Sequence, residues 1–266
     1  MIPDLLEQVL APGRWPAFVL VSARLSGLMV MAPLWSMTNL PGRARAAITV
    51  LLSIALLPSV PDTKLPDEVL ALPLPFALEM VVGIVIGLTA AILVQGVALA
   101  GEIISLQMGL SLAPQLAPMP DLQVSGVGLI LSNLVLLIYV GIGGHLMLLR
   151  GLADSLQTLP PGLPMDLAGG RAAAMAVGAV FRCALSAAAP VMVTLLLAEM
   201  SVALLSRAVP QINAMMISFP IAIGVGLIMT GAALPFLTTS IEGWVHQLPG
   251  NVVTLLGALQ SAPAGR

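Results

Sequence analysis

Six ionisable residues sit within, or at the ends of, long apolar stretches: Arg24, Glu79, Glu102, Arg182, Glu199 and Arg207. A charge in hydrocarbon is expensive, so each is expected to face protein, water or an opposite charge. Helical spacing groups four polar or small residues, Gln95, Glu102, Ser105 and Gly109, on one face. Three kinds of chemistry are open to that stripe: pairing with another helix or subunit, lining a proton or ion path, or snorkelling to the interface. Catalytic patterns are missing. There is no HExxH, GxSxG or Walker A loop, and Gly224-Val-Gly226 is a fragment inside an apolar run rather than a nucleotide fingerprint. The single cysteine, Cys183, has no partner for an intramolecular disulfide and reads as a small buried side chain. His145 and His246 are far apart, so a metal site would need ligands from outside. No catalytic residue, cofactor or metal site is expected, and the chain does not read as an enzyme.

The elements that position those charges are set by composition. Hydrophobic residues make up 59% of the 266 residues and charged residues only 8%, where soluble domains carry about 25%. Mean hydropathy is +1.07. So few charges cannot coat a water-facing surface, and lipid or other protein must be the main solvent. The reading is an all-α, multi-pass integral membrane protein, with room for roughly five to seven helices of about 20 residues. A net charge of −2 and the lack of a basic run argue against nucleic acid. Asp4 and Glu7 precede Arg14, and the apolar run beyond merges into further membrane sequence, so the N-terminus is expected to be a retained helix rather than a cleaved signal.

Six apolar blocks follow one another: about 15–35, 46–57, 72 to beyond 101, 124–149, 171–205 and 212–241. The third is long for one span. The fifth is interrupted by Pro190, and the sixth contains Pro220 and Pro235. With 25 glycines and 22 prolines, bent and broken helices packed tightly in a larger assembly are expected, because freed backbone groups need neighbours inside lipid. Gly83/Gly87 and the alanine run from Ala172 to Ala189 suit close helix contacts. Lys and Arg placement gives only a slight bias of orientation. Between the third and fourth blocks, Pro114, Pro118 and Pro120 deny regular helix to the stretch from Met108 to Asp121. Most of the 15 methionines read as packing fillers. Met108 and Met119 flank the break and could form a deformable seal there.

Four stretches, in order, then carry a resemblance. Gly101 followed by Glu102-Ile-Ile-Ser-Leu-Gln-Met-Gly-Leu-Ser111 resembles the central signature of the FliR/SctT family of type III export proteins. So do Arg24-Leu-Ser-Gly-Leu-Met-Val-Met-Ala-Pro33, Gly144-His-Leu-Met-Leu-Leu149, and Arg207-Ala-Val-Pro-Gln-Ile-Asn213 followed by Ser218-Phe-Pro220. Each is weak alone, but their order and spacing match over most of the chain, to about Pro235. The resemblance implies a core subunit of the flagellar export gate in the bacterial inner membrane, at the flagellar basal body. It implies assembly with FliP-like and FliQ-like subunits around a pore, with an FlhB-like subunit attached, flagellar axial proteins as transient cargo, and lipid around the whole. It also implies bent helical hairpins, with a FliP-like part at about 1–170 and a FliQ-like part at about 171–250.

The family's plug, the loop after the Gln-Met-Gly motif, carries over to about Met108–Gln123, through Met108, Gly109, Leu110, Leu112, Pro114, Leu116, Pro118 and Met119. Family members usually have Asp-Pro in that loop. Here the pair is Ala117-Pro118 with Asp121 nearby, so a plug would close by shape. Within such an assembly Arg24, Glu79, Glu102, Arg182, Glu199 and Arg207 are the expected buried, assembly-stabilising charges, with Glu102 the leading candidate for an inter-subunit pair. Three other readings stay open: an injectisome subunit of the SctT type, a small-solute transporter with a midplane site, and an intramembrane enzyme. The second predicts related halves and the third a nucleophile or metal set, and neither feature stands out in the chain.

Overall fold

A computed structural model describes residues 14–36, 41–61, 72–110, 126–162, 170–208, 214–250 and 252, with the side chains of 170–181, 184 and 214–216 left aside. The described residues form helices and no strand: α1 Trp15–Met31, α2 Gly42–Leu56 followed by a 3-10 turn at Leu57–Ser59, α3 Pro73–Gln107, α4 Gly126–Gly141, α5 Gly144–Thr158, α6 Gly170–Ala208 and α7 Ala214–His246. Four helical segments are long and apolar enough to cross a membrane, in α2, α3, α6 and α7, and the broken pair α4–α5 makes up to five. Helix α1, at 17 residues, is shorter. The chain is an all-α, multi-pass membrane protein. At 1.5 Å per residue, the 35 residues of α3 reach about 50 Å, well past a hydrocarbon core of about 30 Å.

Not every expected break is a break. Helix α6 runs through Pro190, and α7 runs through Pro220 and Pro235. Proline removes one donor from the ladder, to the carbonyl four residues before it, and threonine hydroxyls bond back to the prolines' own carbonyls. Thr194 Oγ1 donates to the Pro190 carbonyl at 2.8 Å, and Thr238 Oγ1 donates to that of Pro235 at 2.7 Å. The interruption between α4 and α5 falls instead at Ile142 and Gly143. There Gly143 takes a left-handed conformation, φ 81°, that a side chain would resist.

The helices belong to two compact units, each drawn from separate stretches of chain. The first comprises Met1–Ala91, Val140–Ala176 and Trp244–Arg266. Its core includes Leu20, Leu25, Val82, Ile86, Leu152 and Val245, all essentially sealed from solvent. Glycines let α1 and the first half of α3 meet backbone to backbone. A Cβ at Gly27 would land on the Met80 carbonyl oxygen, and one at Gly83 on that of Arg24. At Gly87 it would meet the Leu28 carbonyl oxygen at 2.9 Å. The spacing of Gly83 and Gly87 therefore does what small-residue spacing does in membranes: it trades side chains for close approach.

The second unit comprises Ile92–Tyr139 and Val177–Gly243. Ile104, Met108, Leu131, Val135, Leu195 and Leu237 fill its core. Gly101 and Gly128 meet backbone to backbone in it, where a Cβ on Gly101 would come within 2.6 Å of the Gly128 Cα. Large apolar side chains are exposed on several helices, among them Leu51, Leu137, Leu197, Leu204 and Ile228. Exposed apolar surface on this scale calls for lipid or protein against it.

Candidate functional site: a buried ion pair and the end of helix α3

Arg24 is wholly buried in the first unit, and Glu79 nearly so, at 2%. Both lie on helices pulled together by the glycine contacts, and the two side chains meet in the gap. Arg24 Nε donates to Glu79 Oε2 at 2.6 Å. The rest of the guanidinium is spent on the end of α5. Its Nη1 donates to the carbonyl and the hydroxyl of Ser155, each at 3.0 Å, and its Nη2 donates to the Leu159 carbonyl at 2.9 Å. The second carboxylate oxygen, Glu79 Oε1, accepts the backbone N–H of Gly162 at 3.1 Å. The last carbonyls of a helix lack intrahelical donors and carry its partial negative charge. Arg24 therefore neutralises a carboxylate and caps a helix at once. A buried pair is tolerated only where its remaining donors and acceptors find partners, and Arg24 makes four hydrogen bonds here.

Glu102 and Glu199 are half-buried, whereas Arg182 and Arg207 are exposed. Glu199 lies inside the candidate span Leu185–Ala208. Along α3 the expected stripe is uneven: Gln95 is exposed, Glu102 half-buried, Ser105 buried and Gly109 half-buried. Ser105 Oγ and Tyr139 Oη, both buried, have no hydrogen-bond partner among the described residues. Such groups in native interiors are usually satisfied by water or by another chain. Among the described residues no group of three His, Cys, Asp or Glu is placed to hold a metal ion.

Of the expected plug, Met108, Gly109 and Leu110 are described, whereas Leu112, Pro114, Leu116, Pro118 and Met119 lie outside the described residues. Helix α3 ends in a tightened turn, with Met108 N–H on the Ile104 carbonyl at 2.9 Å and Gly109 N–H on that of Leu106 at 3.0 Å. Gln107 Nε2 reaches the Met192 carbonyl on α6 at 3.3 Å. Met108 is fully buried and lies against Gly226 of α7, while Gly109 lies against the Phe219 ring.

With these sites in place, comparison with known proteins is informative. The profile of a family described as "Bacterial export proteins, family 1" matches residues 15–248. The chain belongs to that family. Several relatives bear the name flagellar biosynthetic protein FliR. The Escherichia coli (strain K12) protein is 31% identical over 230 residues, 86% of each chain. The protein of Pectobacterium carotovorum subsp. carotovorum is 29% identical over 251 residues, 93% of this chain and 94% of that one. The Bacillus subtilis (strain 168) protein is 28% identical over 222 residues, 81% and 85%. As a FliR-family chain it carries both described sites, the ion pair and the end of α3, inside the matched region.

Sequence reasoning marked Arg24 and Glu79 as buried charges without pairing them. It missed the acceptors on Ser155 and Leu159 and the Gly162 amide, because backbone groups carry no residue signature. Phe219 was visible only as part of the Ser218-Phe-Pro220 stretch, and Gly226 only as a discarded motif fragment.

Proposed function

We propose that this chain is a channel-forming subunit of the flagellar protein export gate. In this reading it sits in the bacterial inner membrane at the base of the flagellum, with FliP-like and FliQ-like subunits around a common pore and an FlhB-like subunit attached. Flagellar proteins pass as transient cargo, and the chain itself catalyses nothing. Its first 170 residues or so correspond to a FliP-like part, and about 171–250 to a FliQ-like part. The observation that carries the reading is the family match across residues 15–248. The flagellar name borne by its relatives supports this over an injectisome subunit. Exposed apolar faces on α4, α6 and α7, with Glu199 inside a span, support a chain whose surface is completed by other subunits.

The segment Met108–Gln123 serves as the plug. It is anchored at its start by the end of α3, and it is nearly uncharged, with Asp121 its one ionisable residue. Leu110, Leu112, Leu116 and Met119 fill the constriction, which excludes ions by dewetting. Glu102 and the half-buried Glu199 serve assembly by pairing with groups on neighbouring subunits. The test is deletion of the gene in its native host, followed by complementation. Flagellar proteins should vanish from the medium and return with the intact gene, and tagged protein should co-purify with FliP-like and FliQ-like subunits. Undiminished export in the deletion strain would end the proposal.

A further inference from the structure

Helix α2 is built inside out. It packs on α1, and the residues it buries are Thr49 and Ser53, one turn apart on one face. Their hydroxyls are spent within the helix. Thr49 Oγ1 donates to the Arg45 carbonyl at 2.9 Å, and Ser53 Oγ donates to that of Thr49 at 2.7 Å. The apolar side chains are turned outward instead: Leu51 is 67% exposed and Val50 44%, and Ala47 is exposed as well. Water would select the opposite arrangement. One charge heads this outward stripe. Arg43, Ala47, Val50 and Leu51 follow one another at helical spacings of four, three and four, so they lie along one face. Arg43 is exposed, and among the described residues no acid pairs with it. Helix α2 contains no acidic residue at all, and half-buried Arg45 adds a second positive charge at the same end. Depth fits too. The candidate span Gly42–Ser59 has 18 residues, about 27 Å of helix, close to a hydrocarbon core of about 30 Å. A helix of that length that crosses the core carries its first residues at the level of the lipid phosphates.

We propose that the outward face of α2 binds an anionic phospholipid, with an acyl chain along Ala47, Val50 and Leu51 and the phosphate held by Arg43. The guanidinium fork matches a phosphate with two parallel hydrogen bonds. An anionic headgroup is favoured over a zwitterionic one, whose phosphate is already accompanied by its own ammonium, and Arg45 strengthens the attraction. A helix from another subunit would suit this face only if it brought an acid to Arg43. The proposal needs the chain to span a membrane and is independent of what the assembled complex exports.

The test uses the complex purified from native membranes in mild detergent through a tag on this chain, then reconstituted in bilayer discs of phosphatidylethanolamine and phosphatidylglycerol. After return to detergent and washing, the phosphatidylglycerol retained per complex is counted by mass spectrometry. Arg43→Gln should assemble like the wild type and retain at least two-fold less, while Arg43→Lys, which keeps the charge, should retain nearly the wild-type amount. Unchanged retention in Arg43→Gln overturns the proposal. So does an equal fall in Arg207→Gln, an exposed arginine on α6, because the attraction is then unspecific. Millimolar inorganic phosphate should leave the lipid bound, and its release would mark a site for free phosphate instead. A second measurement keeps Arg43 intact and decides the matter should Arg43→Gln fail to assemble. A photo-reactive phenylalanine analogue placed at Leu51 should capture phospholipid on illumination. Capture of a protein subunit there would make the face a subunit contact and overturn the lipid site.

Discussion

Replacing Arg24 with methionine, which keeps the length of the side chain and removes its charge and donors, is the sharpest test of the first unit. Glu79, 2% exposed, would keep only the Gly162 amide as a described partner. Stranding one member of a buried pair costs about 3–5 kcal/mol. The Leu159 carbonyl would lose its Arg24 donor, adding about 1 kcal/mol. The Ser155 carbonyl would keep the Leu159 N–H at 2.8 Å. The sum, roughly 4–6 kcal/mol, is a large part of the 5–15 kcal/mol that holds a typical protein folded. At about 2–4 °C per kcal/mol for a chain of this size, the midpoint of thermal denaturation should fall by about 10–20 °C. Glu79→Gln keeps an acceptor for only one of Arg24 and Gly162, turns an amide donor toward the other and leaves the guanidinium without its counter-charge, so it should be clearly destabilising too. The double variant Arg24→Met with Glu79→Met removes both charges and should be markedly more stable than Arg24→Met alone. The assay is thermal denaturation of the detergent-purified complex, with wild type, Arg24→Met, Glu79→Met and the double variant forming a double-mutant cycle. An Arg24→Met midpoint within about 2 °C of wild type, or a double variant whose loss equals the sum of the two singles, would refute the argument.

Three further outcomes are expected. Gly83→Val should leave little folded protein in membranes, because its Cβ falls on the Arg24 carbonyl oxygen, whereas Gly231→Ala, with nothing within 4 Å, should accumulate normally by immunoblot. Glu102→Ala should lower the yield of assembled complex several-fold on co-purification, while Asp154→Ala, at an exposed site on α5, should not, and equal yields would count against an assembly role for Glu102. Expressed without its partner subunits, the chain should aggregate or be degraded, and a monodisperse, long-lived monomer in detergent would contradict that expectation.

Much of this protein was legible before any tertiary contact was known. Fold class follows from composition, since a surface with 8% charged residues cannot be wetted whatever the chain does next. The order of four short stretches was enough for the family, and Gly83 with Gly87 announced a close helix contact because that signal is local and periodic. The prolines misled in part. A proline inside a helix removes one donor without having to end the helix, and Pro190 and Pro235 leave theirs continuous. Tertiary structure alone decided which charges meet. Arg24 and Glu79 are 55 residues apart, and Arg24 and Leu159 are 135 apart. No periodicity reaches across such a separation, and half the partners are backbone groups that every residue possesses. The same holds for the Phe219 ring on Gly109. Helix spacing shows which residues share a face, but what stands opposite that face is set by how distant segments pack.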